Sequence, residues 1–213
     1  MVDFTVIPQR TALINVDPQN CFISSPNDLA VLERINELAA VCREAGVLVI
    51  HTRHILAPDG SDAGVLADIF PELDIVHRGS EGAEYHDHLV VDPRDVHLEK
   101  PRFGAFYATN LELLLRTRGI DTVIISGYVT NVCCETTARE AAVRDFRVFF
   151  LSDGTSTGDI GDVTRNELQR ATLATLGILF AQVLTVEEMT QKILRASHTV
   201  PAAVAGELSD SHV

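Results

Sequence analysis

A cysteine placed to act as a nucleophile stands in the run S-G-Y-V-T-N-V-C-C-E-T-T-A-R-E-A-A at 126–142. The residues before this run, Thr122-Val123-Ile124-Ile125, are apolar and β-branched and predict a short buried strand. Residues 136–143 carry helical spacing. Cys133 is therefore expected where the carboxyl end of a strand turns into a helix, the place where open α/β sheets bind ligands. Free N–H groups and the positive end of the helix dipole would favour a thiolate there, and they could receive an oxyanion. A buried structural thiol is the alternative reading of a lone cysteine. A thiol nucleophile also needs a base or a depressed pKa. Asp17, after the expected first strand, and Lys100, after the third, are charged residues at strand ends. In a parallel sheet, Asp17, Lys100 and Cys133 all emerge on one edge. Asp17 could accept the thiol proton there, and Lys100 would favour both anions. Taken singly, Asp17 before Pro18 reads as a turn residue and Lys100 as a surface charge. It is their convergence that points to chemistry.

The elements that must position these residues alternate along the chain. A strand at 11–16 leads to a helix capped by Asn27 or Asp28, with Val31, Leu32, Ile35, Leu38, Ala39 and Cys42 on one face and Gly46 closing it. Strands follow at 47–51 and 96–98. Thr109 with Glu112 reads as a capping box for a helix ended by Gly119. Strands at 122–125 and 147–151 come next. Thr164 with Glu167 caps a helix ending at Gly177, before a sixth strand at 178–180. Thr185 with Glu188 caps a last helix to about residue 196. This alternation predicts a single-domain, three-layer α/β/α fold with a six-stranded parallel sheet in the Rossmann-like order 3-2-1-4-5-6. The order reverses between the first and fourth strands, so Asp17 and Cys133 should flank the switch crevice. Residues 54–95 lack periodicity and read as a lid or oligomer contact with a helical turn near 64–69. The folded domain is expected over 1–196, with 197–213 as a tail or an arm onto a neighbouring copy.

The chain has 213 residues, 46% of them hydrophobic, with a mean hydropathy of +0.14. That is enough to build one large core. A net charge of -13 argues against a nucleic-acid or anionic-membrane partner, because phosphate binding needs clustered Lys and Arg. Cys21, Cys42, Cys133 and Cys134 have no zinc-type spacing. With no signal peptide and no apolar run of membrane-spanning length, a reducing cytoplasm is the simplest setting. No Rossmann glycine motif is present, so no nucleotide cofactor is implied. His86 and His88 are spaced like metal ligands but fall in a loop, where solvated side chains are expected.

Three separated motifs carry a resemblance: D-P-Q-N-C-F at 17–22, E-K-P-R-F-G-A-F at 99–106 and G-Y-V-T-N-V-C-C-E-T-T-A-R-E-A at 127–141. Together they resemble the isochorismatase-like cysteine hydrolase superfamily over about residues 10–190, nearest to its ureidoacrylate and biuret amidohydrolase branch. The resemblance implies a catalytic triad of Asp17, Lys100 and Cys133, with an oxyanion hole from the Val129 and Cys133 N–H groups. It also implies a non-proline cis bond at Tyr128–Val129. T-R-H-I-L at 52–56 puts His54 and Leu56 where the nicotinamidases of this superfamily carry a metal-binding Asp-x-His pair. No metal and no cofactor is therefore expected. The expected reaction is cleavage of the C–N bond of a small amide, preferably a ureido or carbamoyl compound, through a thioester. Gln19, Asn20, Phe22, Phe103, Phe106 and Tyr128 are candidate substrate-binding residues. A vinyl-ether hydrolase and a catalytically silent binding protein of the same fold remain as alternatives. Relatives commonly assemble, so a homo-oligomer, dimer or tetramer, is expected.

Overall fold

The computed structural model describes residues 2–70 and 72–199. Most of the expected 197–213 tail lies outside them. Six strands form one parallel sheet in the order β3-β2-β1-β4-β5-β6: β1 (Thr11–Val16), β2 (Leu48–His54), β3 (Val96–Lys100), β4 (Thr122–Tyr128), β5 (Arg147–Ser156) and β6 (Gln182–Leu184). The helices are α1 (Pro26–Ala45), α2 (Leu66–Ile69), α3 (Leu111–Thr117), α4 (Glu135–Ala142), α5 (Arg165–Leu179) and α6 (Val186–Thr199).

The central strands are apolar on both faces, as a sheet covered on both sides requires. Their side chains alternate between two cores. Ala12, Ile14, Ile50, Val123, Ile125, Val148 and Phe150 pack with α3, α4 and α5 on one side. Leu13, Val49, Ile124, Phe149 and Leu151 pack with α1 and α6 on the other. The period of two thus separates two layers of helices, giving the expected three-layer architecture.

Helix ends differ from the sequence expectation where tertiary contacts intervene. Ser25, not Asn27 or Asp28, caps α1, and Asp28 is the reciprocal partner of its capping box. Thr109 and Glu112 form no capping box: the Thr109 hydroxyl donates to the Ala105 carbonyl and accepts from Leu111 N at 3.2 Å, while Glu112 pairs with Arg144 at 3.1 Å. α5 runs through Gly177 to Leu179, so the sixth strand moves from 178–180 to Gln182–Leu184. A helical glycine costs about 1 kcal/mol against alanine but does not by itself stop a helix. Here the stop comes at Phe180 and Ala181, whose N–H groups both donate to the Leu176 carbonyl. β2, β4 and β5 also run past their apolar stretches by three to five residues, carrying polar side chains to the carboxyl edge of the sheet.

Gly127 shows how close that edge is packed. It has φ 114°, and any Cβ there would overlap the Val16 backbone, so only glycine fits where β4 passes β1.

Candidate active site

Asp17 follows β1 directly and sits in the left-handed region, with φ 49°. Aspartate tolerates that region better than most residues. Thr52 of β2 holds it from two sides. Its hydroxyl accepts from the Asp17 N–H at 3.1 Å and donates to Asp17 Oδ1 at 2.6 Å. The other carboxylate oxygen, Oδ2, lies 2.6 Å from Lys100 Nζ. Lys100 ends β3 and also donates to the Arg102 carbonyl at 3.0 Å. This ion pair is wholly shut from water, with both side chains 0% exposed. A pair buried this way is favourable only when its remaining polar positions are satisfied. Thr52 and the Arg102 carbonyl supply those bonds.

Cys133 approaches from the far side of the β1–β4 reversal. β4 ends at Tyr128, the Tyr128–Val129 bond is cis, and residues Thr130–Cys134 form a wide π-type turn before α4. The Val129 carbonyl accepts from Val132 N at 3.1 Å and from Cys134 N at 3.2 Å, the second an i to i+5 bond that opens the turn. Thr137 then donates to the Cys133 carbonyl at 2.7 Å and accepts from Ala105 N at 3.1 Å, tying the 101–110 loop to the turn. In this setting the Cys133 thiol meets the Asp17 carboxylate and the Val129 N–H, and Lys100 also reaches the sulfur.

The electrostatics correct one expectation. Burial pushes the Cys133 thiol up to about 12, with Lys100 pulling the other way and Asp17 adding to the rise. This direction favours a resting thiol over a dipole-stabilised thiolate. Complete desolvation disfavours the sulfur anion, and the one nearby ammonium is already paired with Asp17. Lys100 itself is held above the usual lysine range: burial opposes its charge, but Asp17 and Cys133 outweigh it. Cys134 turns away, its thiol 3.8 Å from the Ser126 carbonyl, and is fully buried.

Asp17, Lys100 and Cys133 therefore meet at the carboxyl edge, flanking the switch point. The crevice is closed over them, however, and Cys133 is only 2% exposed. A cavity of about 550 Å³ that opens on the surface lies instead between residues 3–8 and α6.

The other candidates divide. Phe103 lies at the rim, partly exposed, with its ring edge-on to His54 at 5.9 Å. Phe22 packs with Leu56, Ala63 and Val76 of the 54–95 segment. Asn20 binds that segment too, donating to the Glu81 carbonyl at 2.9 Å. The remaining three candidates are buried. Gln19 is fully buried; its amide accepts from His54 N at 2.7 Å and donates to the His54 and Ala83 carbonyls, so its polar atoms are spent on backbone. Phe106 belongs to the core, 5.7 Å from the Phe146 ring. Tyr128 is also buried in the core, with its hydroxyl donating to the Asp28 carbonyl at 2.7 Å. Thr52 escaped the sequence reading, and His54 entered it only as the occupant of a family metal position. Both lie on β2 beyond residue 51, where the apolar signal ends, but their two-residue spacing puts them on one face of the strand.

The Asp-x-His metal pair does not fit this chain. Leu56 offers no donor and packs with Ala63 and Val76. Among the described residues no group of three or more His, Cys, Asp and Glu side chains is gathered to hold a metal ion. Likewise, no helix among them is long and apolar enough to cross a membrane.

A parallel sheet of this order, with Asp, Lys and Cys converging at its switch point, defines an isochorismatase-type hydrolase fold. The chain belongs to the isochorismatase family: the Isochorismatase domain model matches residues 11–188. It is 34% identical over 186 residues to Nicotinamidase 3 of Arabidopsis thaliana, covering 86% of this chain and 88% of that protein. It is 31% identical over 215 residues to a ureidoacrylate amidohydrolase of an Enterobacter species, covering 89% and 91%. Among solved structures, a cysteine hydrolase from Pseudomonas syringae pv. phaseolicola superposes with a TM-score of 0.88 at 36% identity, covering 92% of this chain and 97% of that one.

Proposed function

We propose that this hydrolase is a cysteine amidohydrolase acting on the C–N bond of small amides, with ureido or carbamoyl compounds preferred. The observation that carries the reading is the buried Lys100–Asp17 pair at 2.6 Å with the Cys133 thiol against it. A thiol pushed up to about 12 needs a base as it attacks. Asp17 Oδ2 takes that proton as the S–C bond forms, and Lys100 compensates the charge that develops on sulfur. The Val129 and Cys133 N–H groups receive the oxyanion. Asp17 returns the proton to the departing nitrogen as the C–N bond breaks. It then takes a proton from water, whose oxygen displaces the sulfur and restores the thiol. Because the pair is sealed, substrate and water reach Cys133 only when the structure opens over it.

The names of the relatives support amide chemistry, and the missing metal pair favours the ureido branch over a metal-assisted nicotinamidase. The test is an ammonia-release assay over primary amides, ureides and biuret. The wild-type protein should turn over at least one of them. Cys133→Ala, Asp17→Asn and Lys100→Met should each lower kcat by about 100-fold or more, as expected for loss of a nucleophile, base or charge partner. A Cys133→Ser protein that keeps full hydrolytic activity would favour a vinyl-ether hydrolase. No turnover together with an unreactive Cys133 would favour a silent binding protein.

A further inference from the structure

His54 is the last residue of β2 and is buried, yet its Nε2 has no hydrogen-bond partner. An orphaned ring nitrogen inside a protein is costly and calls for an explanation. Its placement supplies one. Thr52, two residues back on the same strand, binds the Asp17 carboxylate, so His54 points to the same face. In the β2–β3 register its neighbour is Lys100, which binds the other oxygen of that carboxylate. The ring thus stands beside the Asp17–Lys100 pair and under the rim residue Phe103. Gln19 clamps the His54 backbone through both its N–H and its carbonyl. The position is built, and it is not the frayed end of a strand.

The chemistry of the free atom follows from the ring's surroundings. The Pro101 carbonyl acts on the ring and favours its proton, and Nε2 has no partner. A carbonyl can only accept, which favours the tautomer with the proton on Nδ1, and in that tautomer Nε2 presents a lone pair. Burial, with Lys100 nearby, pushes the imidazole down to about 4, so the ring stays neutral in ordinary conditions.

We propose that His54 Nε2 accepts a hydrogen bond from an N–H beside the scissile carbonyl and thereby selects amides and ureides over esters and other substrates lacking that hydrogen. This rests on the amidohydrolase reading above. A site with a buried acceptor discriminates strongly against an analogue that cannot donate to it, because the acceptor is then left unpaired. His54 is in this sense a specificity residue that touches substrate but moves no proton.

The test compares kcat/KM for biuret and nicotinamide with that for methyl nicotinate, an ester with no N–H. His54→Phe keeps the ring shape and the contact with Phe103 but removes the lone pair. It should lower kcat/KM on the turned-over amide by about 10- to 100-fold, the equivalent of one buried hydrogen bond, while leaving the ester nearly unchanged. His54→Gln, which returns a carbonyl acceptor at similar reach, should restore part of the loss. Equal losses on amide and ester would show a purely structural role and overturn the assignment, as would no loss on amides. Wild-type turnover abolished by chelation and restored by zinc would give the lone pair to a metal and overturn it as well. If the wild type hydrolyses no amide, the amidohydrolase reading fails on its own. Nitrogen-15 NMR of the Cys133→Ala protein then judges His54 separately. Saturating biuret or nicotinamide should shift the Nε2 resonance upfield, and no shift with either one sinks the proposal.

Discussion

At the scale of single residues, the site depends on a hydroxyl that does no chemistry itself. Thr52 satisfies both the backbone N–H and one carboxylate oxygen of Asp17, fixing a residue whose backbone lies in the left-handed region. Thr52→Val keeps the shape and removes both bonds. It should cost about 1–3 kcal/mol of stability and lower kcat about 10- to 100-fold, since a hydrogen bond to a charged group is lost. Urea unfolding and the ammonia assay measure the two effects, and unchanged values for both would mean that Asp17 is held by other means. The paired cysteines make a second contrast. Cys134 donates its thiol to Ser126 and fills space between sheet and helix. Cys134→Ala should leave most turnover intact and cost about 1–2 kcal/mol through a small cavity, whereas Cys133→Ala should abolish turnover and keep the fold. Adjacent residues on a turn point in different directions, and only Cys133 is directed at Asp17.

At the scale of elements, Asp28 joins three of them to the turn that carries the nucleophile. Its Oδ2 accepts from the Ser24 and Ser25 N–H groups and the Ser25 hydroxyl at the start of α1. Its Oδ1 accepts from Ser156 at the end of β5, and its carbonyl accepts from the Tyr128 hydroxyl beside the cis bond. Burial raises its pKa, but the bonds from Ser156, Ser25 and Ser24 outweigh that, so the carboxyl is held below the usual range. Asp28→Asn should destabilise the protein by about 1–3 kcal/mol, because a capping acceptor is replaced by a donor. Thermal denaturation checks this. Tyr128→Phe should lower kcat more than it lowers stability, and the reverse order would make Tyr128 a packing residue alone.

At the scale of the whole molecule, acid should unfold the protein through its buried histidines. His54 is pushed down to about 4 by burial. His51, fully buried between Asn15 and Asp95, is also lowered by burial against the pull of Asp95. In the unfolded chain both take up protons near pH 6.5, so they contribute stability above that pH. For His54 that stability is lost as pH falls from about 6.5 through about 4, and for His51 the loss runs in the same direction. For His54 the loss reaches about 3 kcal/mol. Denaturant midpoints measured across this window should fall steeply, and His54→Phe should flatten the slope; a slope unchanged in the variant would assign the titration elsewhere. Assembly is a further expectation of ours: light scattering should give a mass at least twice the 23.2 kDa of one chain, and a monomer at working concentration would remove it.

The sequence by itself determined the fold class, the strand order and the convergence of Asp17, Lys100 and Cys133. Those follow from hydrophobic period and chain order, which are local quantities: four apolar residues at 122–125 announce a buried strand, and parallel strands must end on one edge. Only the tertiary structure decided how far each strand ran. β2 continues past its apolar stretch because β3 pairs with it as far as His54 and Lys100, beyond the last β1 pair at His51, and that extension delivers Thr52 and His54 to the site. Tertiary structure also decided which polar and aromatic candidates are buried. Gln19, Phe106 and Tyr128 carry side chains that could line a pocket, but backbone partners and core neighbours far along the chain claim them. The upward push on the Cys133 thiol has the same origin, because desolvation depends on everything packed around the sulfur and no spacing in the sequence records it.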